Sequence, residues 1–468
     1  MTAPRATSMP VPVPVAVSAE VNFDGLVGPT HNYAGLSFGN RASMGSAGQI
    51  ASPRAAARQG LAKMRMLHRR GLIQGVLPPP RRPDPEALIR LGVGDLEPAA
   101  AVRALAGVSP ALAAAVMSAS SMWAANAATV SPSTDTSDAR VHFTPANLVS
   151  TTHRSFEWHQ TVRILRSIFR DRERFVIHDA LPSAASFADE GAANHGRFAP
   201  VHGRPGVELF VYGRDADDRP AGDFPRRQTR MAGELIVRSH GLDPDRAVFA
   251  RQAARAIDAG AFHNDVVSVA NETVLLAHES AFDDPIGLRR SLPEWVEWIE
   301  VPEAAVPLSD AIASYLFNSQ LITLPNRDPG GRASMLLVAP GEVANTPSAA
   351  SFVAELVGGD HPIDEVAIVD LRQSMRNGGG PACVRLRVVL TAQEREALSG
   401  RVLVDDDLLD ELDAWVDRHY RDELTPADLL DPGLIDEVDQ ALDELSTLLV
   451  LDGHRAAGGP GARELATA

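Results

Sequence analysis

The chain carries a single cysteine, Cys383, at the point where Asn377-Gly378-Gly379-Gly380-Pro381-Ala382 meets the apolar run Val384 to Leu390. Three glycines and a proline make a loop whose backbone can approach a ligand closely. A thiol at its lip is a candidate nucleophile, although a lone cysteine is also a common small core residue. A second candidate pair is His263 and Asp265 in Phe262-His263-Asn264-Asp265. Two apart on extended backbone, they point the same way. The pair suits a general acid/base beside an anionic site, a metal pair, or a turn cap. A metal is disfavoured, because no third ligand has standard spacing and no HExxH is present. A third candidate is Glu190 in Asp189-Glu190-Gly191-Ala192-Ala193-Asn194-His195, a carboxylate beside small residues that also reads as an ordinary loop. The fourth, Gly35-Leu36-Ser37-Phe38-Gly39, spells the GxSxG nucleophile elbow. That motif needs a buried strand before it and a helix after it. Here Pro29 and Gly28 break the first, and Asn40 to Gly45 lack an apolar period. Ser37 is better placed in a polar substrate loop than as a serine-esterase nucleophile.

Cysteine, histidine and glutamate are the parts of a thiol-based acyl- or amidine-transfer site, and mixed α and β elements must hold them. Ser52-Pro53, Arg54 to Arg70 and then Gly71 read as a capped helix. Short β-rich runs recur at Arg174–Ile177, Val207–Tyr212, Val366–Val369 and Val384–Leu390, and Val266 to Leu276 reads as two strands around an Asn-Glu turn. In the run after Cys383, Val384, Leu386 and Val388 alternate with Arg385 and Arg387, which predicts one buried face. Near the end, Leu408 to His419 and Leu434 to Leu449 form two apolar stripes at helical spacing, the second capped by Asp431-Pro432. Their opposite faces are acidic and read as solvated.

Composition removes several alternatives. One cysteine forbids an intramolecular disulfide and a four-cysteine metal site, and suits a reduced, cytoplasmic setting. Lys63 is the only lysine and follows no glycine-rich phosphate loop, which excludes a P-loop ATPase and disfavours a pyridoxal Schiff base. Of the net charge of −16, most belongs to residues 401–450, with sixteen carboxylates and three arginines. The remainder is near neutral, so nothing reads as a nucleic-acid stripe. The uncharged stretch from Ala104 to Thr134 is rich in Ala and Ser and holds Pro110 and Asn126, so it reads as helix and loop rather than a membrane span. Residues 1–19, with Pro10, Pro12 and Pro14, and residues 453–468 read as disordered tails. At roughly 150 residues per domain the length alone suggests about three domains.

Taken in order, Glu20 to Gly28, Tyr33 to Asn40, Asp189 to His195, Arg227-Gln228-Thr229-Arg230, Phe262 to Val267, Ser314 to Gln320 and Asn377 to Leu390 resemble the N-succinylarginine dihydrolases. The likeness runs from about Glu20 to about Leu451. The departures are the two tails and an extended loop around Pro325 to Arg332. The resemblance implies one α/β domain over residues 20–452, a five-bladed α/β propeller with pseudo-fivefold symmetry and a central site. It implies hydrolysis of N2-succinyl-L-arginine in arginine catabolism without cofactor or metal, in a cytoplasmic homodimer that binds a small molecule, not nucleic acid or membrane. By resemblance Cys383, His263 and Glu190 are catalytic. Ala34, Gly35, Leu36, Ser37, Phe38, Gly39, Asn40, Arg41, Ala42, Ser43, Asn126, His153, Arg154, Arg227, Asp265 and Asn377 occupy substrate positions. Asp265 is expected to clamp the guanidinium, and Arg154 and Arg227 to hold carboxylates. The competing readings are a deiminase-like enzyme that stops at the ureido product, the esterase on Ser37, and a binding protein that uses the acidic helices.

Overall fold

In the computed structural model, which describes residues 18–218, 222–327 and 333–451, the strands form five three-stranded sheets. The first holds β1 (Ser18–Gly25) and β2 (Ile73–Leu77). The second holds β3 (Ala128–Ser131), β4 (Val141–Pro145) and β5 (Phe175–Ile177). The third holds β6 (His195–Phe198), β7 (Val207–Tyr212) and β8 (Ala247–Arg251); the fourth β9 (Ser268–Asn271), β10 (Val274–His278) and β11 (Glu297–Val301). The fifth holds β12 (Gln320–Arg327), β13 (Ala333–Pro340) and β14 (Ile363–Val369). The last strand, β15 (Arg385–Thr391), returns beside β1 and completes the first sheet.

One rule builds every sheet. The central strand pairs antiparallel with one neighbour and parallel with the other. The parallel partner is reached through a connection that carries helix, as parallel pairing demands. Five repeats of this unit, closed by the last strand on the first, give the expected five-bladed α/β propeller. The closure sets β15, and with it the loop that carries Cys383, beside β1. Arg387 of β15 reinforces it: its two Nη atoms donate to Ala270 O on β9 at 2.8 Å and Leu321 O on β12 at 3.1 Å.

The predicted elements are present with shifted ends. The first long helix spans Pro53–Arg69, with Ser52 Oγ accepting from Ala55 N at 3.3 Å and Gly71 left-handed just beyond. The turn of the Val266–Leu276 hairpin places Glu272 at φ 41°. The acidic helices are Asp406–His419 and Pro432–Leu448, and their apolar stripes are buried. Their acidic faces are mostly exposed, as expected. Arg65 of the first helix binds Asp410 at 2.8 Å and Asp413 at 2.7 Å, so part of the acidity is matched to basic side chains packed beside it. The expected tails, 1–19 and 453–468, lie outside the described residues except Ser18 and Ala19, which already belong to β1. Of the expected loop at Pro325–Arg332, residues 325–327 continue β12 and the rest lie outside the described residues.

Candidate active site

Cys383 is 2 % exposed and lies between a loop and β15. The loop is fixed from within: Gly378 N, Gly379 N and Cys383 N donate to Met375 O, Ser374 O and Gly380 O at 2.8, 3.2 and 3.0 Å. Gly378 stands at φ 97°, a conformation that glycine adopts without steric penalty. Asn40 Nδ2 donates to its carbonyl at 2.8 Å, which ties this loop to the Gly35–Gly39 segment.

Around the thiol, Asn318 Nδ2 donates to Sγ at 3.1 Å and Sγ donates to Asp265 Oδ2 at 3.6 Å. Burial pushes the thiol's pKa well up, and the Asp265 carboxylate adds to it. Burial likewise raises Asp265 to about 7, against the hydrogen bonds from Cys383 and Asn318. His263 Nε2 lies 2.7 Å from Glu190 Oε2, and Arg154 Nη1 donates to the same oxygen at 2.8 Å. Burial depresses His263 to about 4, partly opposed by Glu190. Burial acts to raise Glu190, but Arg154 and the His263 contact overcome it and hold the group well below its ordinary value.

Burial thus favours the neutral thiol and the neutral imidazole in the resting site. His263 and Asp265 differ from the expected extended pair. His263 is extended, but Asn264–Val266 forms a 3₁₀ turn. One side chain engages Glu190 and the other Cys383.

The remaining candidates divide. Asn126 Nδ2 donates to Glu190 O at 2.7 Å. Arg227 is buried, donates through Nη2 to Ser37 Oγ at 3.2 Å and Phe38 O at 2.6 Å, and lies over the Phe262 ring at 5.0 Å. Its Nε and Nη1 are buried without partners. His153 is buried, and desolvation lowers it to about 3. Asn377 is buried just before the glycines. Arg154, expected on a substrate carboxylate, is committed through Nη1 to Glu190, and its Nη2 is buried without a partner.

Within the 34–43 loop, Gly35 and Gly39 take φ of 67° and 91°. Asn40 caps the short helix Arg41–Gly45 by accepting from Ser43 N at 3.1 Å. Ser37 and Asn40 are buried and face the site residues, whereas Phe38 is exposed and packs on Phe224. Ala34 and Leu36 line a separate apolar cleft with Pro110 and Leu429, and Arg41 and Ala42 another with Phe262 and Tyr315. No buried strand leads into Ser37, so the nucleophile-elbow geometry is absent.

Three residues beside the thiol and its partners went unflagged by sequence reasoning: Asn318, Trp123 and Gln228, whose Oε1 accepts from Glu190 N at 2.7 Å. Asn318 and Gln228 fall within segments that carry the family resemblance, but nothing in their own spacing marks a role. A cavity of about 100 Å³ continues behind Asp265, lined by Asn264, Ala382, Arg385 and Arg387. Among the described residues no group of three His, Cys, Asp or Glu side chains is arranged to hold a metal ion, and no helix is long and apolar enough to cross a membrane.

Five α/β modules hold a buried cysteine, histidine and two carboxylates, which makes this a five-bladed α/β propeller with a polar site built from a thiol. The family model for succinylarginine dihydrolase matches residues 17–454. The N-succinylarginine dihydrolase of Chromohalobacter salexigens is 53% identical over 438 residues, covering 92% of this chain and 96% of that one. That of Burkholderia pseudomallei is 51% identical, covering 92% and 97%, and that of Paraburkholderia xenovorans 49%, covering 93% and 98%. A solved cyanobacterial arginine dihydrolase is 15% identical with a TM-score of 0.46, covering 79% of this chain and 40% of its own. The chain belongs to the succinylarginine dihydrolase family.

Proposed function

We propose that the protein hydrolyses N2-succinyl-L-arginine with two waters to N2-succinyl-L-ornithine, two ammonia and carbon dioxide, with Cys383 as nucleophile. The observation that carries this reading is the Sγ of Cys383, held 3.6 Å from the Asp265 carboxylate in a chain of this family. A guanidinium is planar and permanently charged, so a carboxylate is its natural clamp. Asp265, with Oδ1 buried and unpartnered, supplies that clamp.

The substrate also supplies what the resting site lacks. A cation placed beside Sγ lowers the thiol pKa. The thiol proton passes to His263, and Glu190, itself braced by Arg154, carries the resulting imidazolium. Thiolate addition to the guanidinium carbon is followed by proton donation from His263 to the departing ammonia. The same histidine, now neutral, takes a proton from the water that cleaves the thiouronium. The ureido product stays bound and passes through a second cycle. Arg227, with two unpartnered donors, is positioned for a succinyl carboxylate. Asn126, His153, Asn377 and the Ser37–Asn40 segment complete the substrate shell. The free cysteine suits a reducing cytoplasm, and a homodimer is the assembly we expect; light scattering on the purified protein tests the latter.

The experiment is to incubate the protein with succinylarginine and count products. Two ammonia per succinylornithine, abolished in Cys383→Ala, supports the reading. Ammonia release that survives Cys383→Ala removes the nucleophile.

A further inference from the structure

We propose that Trp123 is a catalytic residue of the second hydrolytic cycle: its indole Nε1–H donates a hydrogen bond to the oxygen that becomes negative when Cys383 adds to the ureido carbon. This rests on the dihydrolase reading above. Trp123 is 6 % exposed, and its Nε1 is buried without a partner. A buried indole N–H usually finds an acceptor, so one left open at the thiol points to an oxygen that arrives with the reaction.

Its placement is tightly set. A carbon added to Gly379 would lie 2.3 Å from Trp123 Nε1 and 3.1 Å from Cys383 Cβ. Glycine at 379 thus lets the indole edge come against the loop that carries the nucleophile. The segment just after Trp123 is strapped to the site at two points: the backbone Ala125 N donates to Cys383 O at 3.0 Å, and the side-chain Asn126 Nδ2 to Glu190 O at 2.7 Å. The Arg154 guanidinium carbon lies over the ring, 5.7 Å from its centroid, so the cation meets the face of the indole rather than its N–H edge.

Two other donors at the thiol are already used. The amide of the nucleophile, a frequent oxyanion donor, is bonded to Gly380 O at 3.0 Å. Asn318 Nδ2 is bonded to Sγ. Arg154 Nη2 is also open, but its guanidinium is anchored on Glu190.

The chemistry explains why one cycle needs this donor more than the other. In the first cycle the thiolate adds to a cationic carbon that bears only nitrogen. The adduct is neutral, ammonia leaves with a proton from His263, and a thiouronium remains. Water, losing a proton to His263, adds to that cation and gives a neutral hydroxyl; collapse expels the thiolate, and the hydroxyl proton is released to solvent to leave the neutral ureido compound. In the second cycle the thiolate adds to a neutral carbonyl, and the C=O electron pair moves onto oxygen. Ammonia again leaves with a proton from His263, giving an S-carbamoyl cysteine. Water, losing a proton to His263, adds and makes a second oxyanion. Collapse expels the thiolate and leaves a carbamic acid, which loses carbon dioxide to give the ornithine amine. Both oxyanions belong to the second cycle.

The test uses Trp123→Phe, which keeps an aromatic face for Arg154, and replacement of Trp123 by β-(3-benzothienyl)alanine, which keeps the bicyclic shape and removes the donor. Ureido formation is followed from succinylarginine, and ureido hydrolysis from the synthetic N2-succinyl ureido compound. Hydrolysis of the ureido compound should slow roughly 100-fold more than its formation, the usual effect of losing one oxyanion donor, and the ureido compound should accumulate in both variants. Equal slowing of the two steps, or an unchanged product ratio, would overturn the assignment. Failure of the wild type to release two ammonia would instead sink the dihydrolase reading itself.

Discussion

Two groups of polar side chains, one around His142 and His240 and one around His263, differ in their hydrogen bonding. In one, His142 Nδ1 meets His178 Nε2 at 3.0 Å and His142 Nε2 meets Asp138 at 3.0 Å. Beside them His240 bonds Ser131 Oγ at 2.9 Å and Thr144 Oγ1 at 2.8 Å. Both ring nitrogens of His142 and of His240 are occupied, as a structural interior requires. In the other, His263 Nδ1, Glu190 Oε1, Asp265 Oδ1, Trp123 Nε1 and two Arg227 nitrogens are buried and open. A fold does not keep that many unpaired polar atoms for stability, because each costs free energy. The contrast fits a structural role for the first group, which joins the second and third modules, and agrees with the ligand-binding role proposed for the second.

The strongest way to break this contrast is to remove one group from each cluster. Cys383→Ala should abolish turnover by at least roughly 10⁴-fold, while His240→Asn should leave kcat/KM unchanged and lower the melting temperature. Loss of turnover in His240→Asn would dissolve the distinction. Next in size, His263→Gln should cut kcat by roughly 10²–10⁴-fold with an intact fold, the range for a lost general acid and base. Arg227→Ala should raise KM for succinylarginine about tenfold or more, near 1.4 kcal/mol of binding; an unchanged KM takes Arg227 out of the substrate site. Ser37→Ala should keep kcat, and its loss would reopen the serine reading.

The smallest effect is in pH-dependent stability. Burial lowers His31 and His263 to about 4 and His153 to about 3, and drives His240 well below its ordinary value. Below pH of about 6.5 the unfolded chain takes up protons that these folded sites refuse. Stability is therefore full above that pH and falls as pH drops toward 4. Asp265 and Asp189, raised to about 7 and about 6, oppose the trend in part. The melting temperature should decline between pH 6.5 and 4.5, and His240→Asn should flatten the slope. A flat wild-type profile would contradict the burial argument.

What the sequence disclosed follows from how local each signal is. The Gly378–Gly380 loop, the strand after Cys383 and the capped helix from Pro53 are set by neighbours in the chain, so glycine, cap and alternation reveal them. The fivefold repeat is set by strand pairing, and the five units share geometry without sharing side chains, so no periodicity betrays it. Glu190 and Arg154 meet 36 positions apart, and Asn318 reaches Cys383 across 65. Spacing cannot announce such contacts; the resemblance supplied Glu190 and Arg154 as positions, but not their pairing. Asn318 and Trp123 carry no motif of their own. The neutral resting thiol was hidden for another reason: it depends on burial, which a residue string does not display.

The central claim is that one site carries a guanidinium through two hydrolyses. Ammonia and amine products counted from a known quantity of succinylarginine test it most directly. The account predicts two ammonia and one succinylornithine per substrate, with the ureido compound present only transiently. One ammonia and a stable ureido product would contradict it.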